Sequence, residues 1–175
     1  MERTQLLDFY NELIIKQDYF ECHEIMESHW KSKPVLTKHD PEVFLILVAV
    51  AEYHYRQGNT AGAERSYSRA IALYDAHEYD LFSLGMTEIL ITMIHERKKH
   101  IKTIPFTPLQ FPLTDETWSH LHAMQDPSTP IGTFREMAIN RFVQEEGIVF
   151  KHRLRDRSDV ISDRNAAIKK RKHQK

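Results

Sequence analysis

His23, Glu24 and Glu27 place one imidazole and two carboxylates within five positions of the chain. On a helix, residues i and i+4 project from one side, so His23 and Glu27 face the same space and can share a divalent ion. Glu24 falls at the edge of that face, where it can steady a ligand or take a proton as general base. Two ligands are too few, and His54 is the candidate for a third. Three protein ligands with water in the fourth position make the open arrangement of a hydrolytic metal centre. Zinc suits the imidazoles, and manganese suits the carboxylate. The same residues have a structural account: His23, Glu27 and His54 hydrogen-bond to one another and hold two helices in register.

These groups depend on helices to position them. Tyr19, Phe20, His23, Met26, Glu27 and Trp30 fall on one stripe of a helix opened by Asp18, with Glu21 three residues on as a capping box. That stripe is expected to pack inward, with Cys22 away from its centre. A helix from about 3 to 16 precedes it, with Leu6, Leu7, Tyr10, Leu13 and Ile14 inward. Asp40-Pro41 opens a third helix, apolar on every side from Val43 to Ala51 and therefore central. It carries Leu47, Val50, Ala51 and His54 on one stripe and stops at Gly58, suited to a left-handed cap. Thr60 is placed to cap a fourth helix reaching about Tyr74. Gly58, Ala63, Tyr67 and Ala70 match the spacing of a tetratricopeptide hairpin, but one copy cannot build a repeat array and indicates a helical hairpin inside a bundle. A fifth helix is expected near 87–101. Pro105, Pro108 and Pro112 then impose an extended connection. Shorter helices are expected near 116–124 and 133–146, the latter capped by Thr133.

The 175 residues, 41% apolar and with only 5 Gly, suit one all-α domain. The expected body is a compact antiparallel bundle over 1–147, followed by a basic tail over 148–175, helical in part or flexible. From Lys151 onward ten Lys and Arg face three Asp and Glu, while the formal net charge of the whole chain is only −1. Arg153, Arg155, Arg157, Lys169, Lys170, Arg171 and Lys172 are the candidates for phosphate or nucleic-acid contact through charge. No aromatic residue interleaves them, so base stacking is not indicated; a solvated end, or one docked on the acidic body, fits the composition better. One cysteine excludes an internal disulfide and fits a reducing compartment. The first residues lack a signal-peptide core, and no apolar run is long enough to span a bilayer. A soluble, cytoplasmic protein is expected.

Tyr19-Phe20-Glu21-Cys22-His23-Glu24-x-x-Glu27-x-x-Trp30, followed by Ala51-x-Tyr53-His54-x-Arg56-x-Gly58-Asn59-x-x-Gly62-Ala63, resembles the bacterial and archaeal domain of unknown function 309. The resemblance covers about 6–74, and the remainder is similar to Bacillus-type members. It implies a compact bundle of antiparallel helices with Glu21, His23, Glu24, Glu27 and His54 as signature polar residues. Some members of that family are labelled metal-dependent hydrolases. Three functions stay open: a structural or partner-binding protein, as a monomer or an oligomer, taking a protein or small molecule; a metal-dependent hydrolase with His23, Glu27 and His54 as ligands; and a phosphate or RNA binder acting through the tail.

Overall fold

A computed structural model describes residues 1–151. The basic-tail residues Arg153, Arg155, Arg157 and Lys169 to Lys172 lie outside the described residues. The fold is all-α. Helix α1 (Arg3–Tyr10) runs into a π-helical turn (Asn11–Lys16), followed by α2 (Tyr19–Ser32), α3 (Pro41–Arg56), α4 (Thr60–His77), α5 (Ile89–His100), α6 (Asp115–Gln125), α7 (Ile131–Asn140) and the single turn α8 (Glu146–Val149). No sheet occurs among the described residues; one isolated antiparallel bridge joins Met86 to Leu113. None of the described helices is long and apolar enough to cross a membrane.

Helix α3 is central, packed lengthwise against α2 on one side and α4 on the other. Phe44, Leu45, Leu47, Val48, Ala49 and Ala51 are all buried, as the unbroken apolar run requires. The α3–α4 hairpin turns at Gly58, whose φ of +72° is the left-handed conformation a Cβ disfavours. Asn59, not Thr60, caps α4, its side chain accepting from the Gly62 N–H at 3.0 Å. Gly62 has to be small because a Cβ there would stand 2.6 Å from Asn59 Nδ2. Ala63 is fully buried beneath it. At the start of α2, Asp18 accepts from the Glu21 N–H, giving half of the expected box; the Glu21 carboxylate goes elsewhere. Helix α7 begins after Pro130, ahead of the expected Thr133 cap.

The proline-rich connection is extended, as expected, and it is held from beneath. Glu52 on α3 is fully buried and receives a two-pronged grip from Arg97 on α5, Nε to Oε1 at 2.6 Å and Nη2 to Oε2 at 2.7 Å. Tyr67 of α4 donates its hydroxyl to the same carboxylate. Arg97 Nη2 also donates to the Thr107 carbonyl at 2.5 Å, and its guanidinium lies over the rings of Tyr55 and Phe106. Burial raises the Glu52 carboxyl above its ordinary value against the pull of that guanidinium. The Tyr55 hydroxyl donates to the Ile104 carbonyl at 2.5 Å and pins the start of the connection.

Packing continues beyond Gly147. Gln17, itself left-handed at φ +52°, accepts from the Val143 N–H and donates to the Arg141 carbonyl. Gln57 holds the Val149 carbonyl at 2.8 Å, and Lys151 reaches both Asp18 and Glu21 at 2.6 Å.

Removing one member of a buried ion pair strands the other, at a cost of about 3–5 kcal/mol. Arg97→Met alone is expected to lower the unfolding free energy by that amount. Combining it with Glu52→Leu should recover much of the loss, because the stranded charge leaves with its partner. Denaturant melts of the parent, both single variants and the double variant measure this; losses that simply add would contradict it.

Candidate functional site

Helix α2 is turned by about one residue from the expected orientation. Its inward residues are Tyr19, Phe20, Cys22 and Met26, with Cys22 and Met26 fully buried. Cys22 therefore belongs to the core, with its thiol 3.7 Å from the Phe9 carbonyl. His23 and Glu27 move to the rim of the stripe and are half-buried, as is Trp30. The physical reason is ordinary: a small thiol enters the core at little cost, whereas an imidazole and a carboxylate lose hydration there. Burial, with the charges of Glu12 and Asp18 nearby, pushes the Cys22 thiol well above its usual range.

His23, Glu24 and Glu27 come together at this rim. One ligand atom from each lies within 4.8 Å of the others. His23 Nδ1 stands 3.1 Å from Glu24 Oε1. That is close to the roughly 3.3 Å edge of a tetrahedron with about 2.0 Å metal–ligand bonds. Glu27 is also paired with Lys31, one turn on, at 3.0 Å. This ammonium is largely exposed, so it can swing into water when a cation replaces it.

His54 is not among the three. It is half-buried near the end of α3, with its Nδ1 3.2 Å from Asn59 Nδ2 in the hairpin turn. Aromatic rings link the two regions: Phe20 lies 6.3 Å from His23 and 6.3 Å from Tyr53, and Tyr53 lies 6.1 Å from His54. Tyr53 is buried, and its hydroxyl has no hydrogen-bond partner among the described residues.

The other singled-out residues have structural work. The Trp30 indole donates to the Thr37 carbonyl and to Asp40 Oδ2, closing the loop between α2 and α3. Glu21 holds Lys151. Residues that sequence reasoning passed over form a second polar group behind that loop. Glu42, nearly fully buried, has Lys33 Nζ at 3.2 Å and His29 Nδ1 at 3.2 Å. The His29 contact is one of proximity rather than a hydrogen bond. An open groove of about 590 Å3 runs along the outer side of α2, lined by Gln5, Glu21, Glu24, Ile25, Ser28 and His29.

Residues 7–66 match the model of a domain of unknown function, DUF309. Over 168 residues the chain is 32% identical to the uncharacterized protein YpuF of Bacillus subtilis (strain 168), covering 95% of this chain and 94% of that protein. The chain belongs to the DUF309 family. No solved structure matches it. The matched DUF309 segment contains the whole α2 trio and Glu52, whereas Tyr67 and Arg97 lie beyond its end.

The rotation of α2 has a direct chemical consequence. The Cys22 thiol of the native chain is expected to resist an aromatic disulfide reagent and to react promptly once denaturant is added. Rapid labelling without denaturant would mean that α2 does not pack this face inward.

Proposed function

We propose that this DUF309 protein binds a divalent cation, with zinc or manganese as the ion and His23, Glu24 and Glu27 as its protein ligands. The observation that carries the proposal is the convergence of one imidazole and two carboxylates on a half-exposed rim of α2. The core's polar knot is built elsewhere, from Glu52, Arg97 and Tyr67. The α2 trio therefore does not have to serve as an internal lock, and its partial exposure leaves positions for water or an outside ligand.

A hydrolytic role is the narrower form of this proposal. The ion would polarise a substrate oxygen and lower the pKa of a bound water. Glu24 supports both tasks, as ligand in the trio or as general base beside a thinner set of ligands that recruits His54. The first use is favoured by its 3.1 Å approach to His23. With Glu24 spent as a ligand, the trio holds no further carboxylate to take the proton, so cation binding stands ahead of hydrolysis.

A second reading, binding of a protein or small-molecule partner, is favoured by a different region. A pocket of about 320 Å3 opens between α1 and α6, with Leu6 and Tyr10 in its wall. Phe82, 68% exposed, and Met1 stand at its lip beside the Arg3–Glu116 ion pair.

Metal analysis by mass spectrometry on tag-free protein separates the accounts. The parent is expected to carry, or to take up from solution, close to one zinc or manganese per chain. His23→Ala and Glu27→Gln should each lower the affinity at least tenfold, and His54→Ala should leave it within about twofold. A parent that takes up neither ion would overturn the proposal. Loss of the ion in His54→Ala as well would restore the His54-centred site expected from the sequence.

A further inference from the structure

We infer that the carboxylate ridge of α2 is the docking surface for the chain's own basic segment after Lys151, with Arg153, Arg155 and Arg157 as its anchors. The last described residue is already seated there. Lys151 Nζ lies 2.6 Å from Asp18 Oδ2 and 2.6 Å from Glu21 Oε2, a charge-assisted clamp at the amino end of α2. The chain thus leaves the described body at one end of a ridge formed by Glu21, Glu24 and Glu27, at i, i+3 and i+6. The groove beside that ridge runs from Glu21 to Ser32.

Length and charge agree. The eleven residue steps along the α-helix from Glu21 to Ser32 span about 16 Å. The seven residues from Lys151 to Arg157 have a maximum reach of about 20 Å, enough to follow the groove. The α2 segment from Asp18 to Lys31 carries four carboxylates against one lysine, and the segment from 151 to 157 carries four cations against one carboxylate. The Ile25 side chain lies within the groove, so apolar contact adds to the charge pairing. This inference does not rest on the cation proposal, although both draw on Glu24 and Glu27.

A nitroxide attached at Ser28→Cys in the full chain tests it, since Ser28 is exposed and lines the groove while native Cys22 is buried. At low salt the amide NMR signals of residues 152–158 are expected to broaden selectively, and at 1 M salt to recover, because the screening length falls to about 3 Å. Reversing Arg153, Arg155 and Arg157 to Glu should abolish the broadening. Adding Glu21→Lys, Glu24→Lys and Glu27→Lys to the reversed tail should restore it, which separates lost docking from lost folding. Unbroadened tail signals in the low-salt parent would overturn the inference. So would broadening that appears only between labelled and unlabelled chains in a mixed sample, which would assign the groove to a second copy.

Discussion

A carboxylate buried in the central helix has to be fully satisfied, and in this fold the rest of the structure is arranged around satisfying Glu52. Its two oxygens take both prongs of Arg97 and the Tyr67 hydroxyl, which ties α3 to α5 and α4 at one point. The guanidinium that completes the pair is itself used twice more, by the Thr107 carbonyl and by the faces of Tyr55 and Phe106. A segment with three prolines cannot be placed by a helical or ladder hydrogen-bond pattern, so it needs acceptors and rings met from below. The buried pair supplies them. Phe106 then carries the order outward, with its ring 6.3 Å from Tyr19 and 6.1 Å from Phe142.

Much of this was legible from the residues alone. The unbroken apolar run made α3 central, the three prolines made an extended connection, and Gly58 marked the turn; each is a local property with one physical solution. The pairing of Glu52 with Arg97 was not legible, because the two lie 45 positions apart and nothing local to either names the other. Glu52 follows directly on the apolar run and looks like its polar boundary. The orientation of α2 failed for a subtler reason. Cys22 and His23 are neighbours, and both can lie on a buried stripe. An assignment that weights the aromatics Tyr19, Phe20 and Trp30 tilts the stripe toward His23, whereas the structure pays for burial with the smaller thiol and leaves Trp30 half-exposed to hydrogen-bond the following loop. His54 fell on the expected helix, yet it is half-buried there, with its Nδ1 3.2 Å from Asn59 Nδ2 in the turn that follows the helix.

The Glu52–Arg97 pair and the α2 trio differ in what they can do because they differ in burial. Glu52 and Arg97 have no freedom to exchange partners: any movement leaves a charge without compensation in a medium that solvates it poorly. His23, Glu24 and Glu27 are half-exposed and their present partners are held weakly, as surface pairs are. Exchange of Lys31 for another cation costs little there. Rigid and exchangeable charge thus occupy different helices, α3 in the core and α2 at its rim, and the first fixes the frame on which the second is displayed.

Two cations are proposed for the same carboxylates, a divalent ion and the arginines that follow Lys151, and His23 is the group that tells them apart. A guanidinium presents only donors, so it gains from Glu24 and Glu27 and gains nothing from an imidazole lone pair. A divalent ion gains from all three, and most from the imidazole if it is zinc. The ion also concentrates two charges at one point, whereas the arginines spread theirs along a ridge and lose more of their attraction as salt rises. With both present, occupancy of the trio is a balance set by free ion and by ionic strength. That balance gives the imidazole of His23 a role which neither carboxylate can fill.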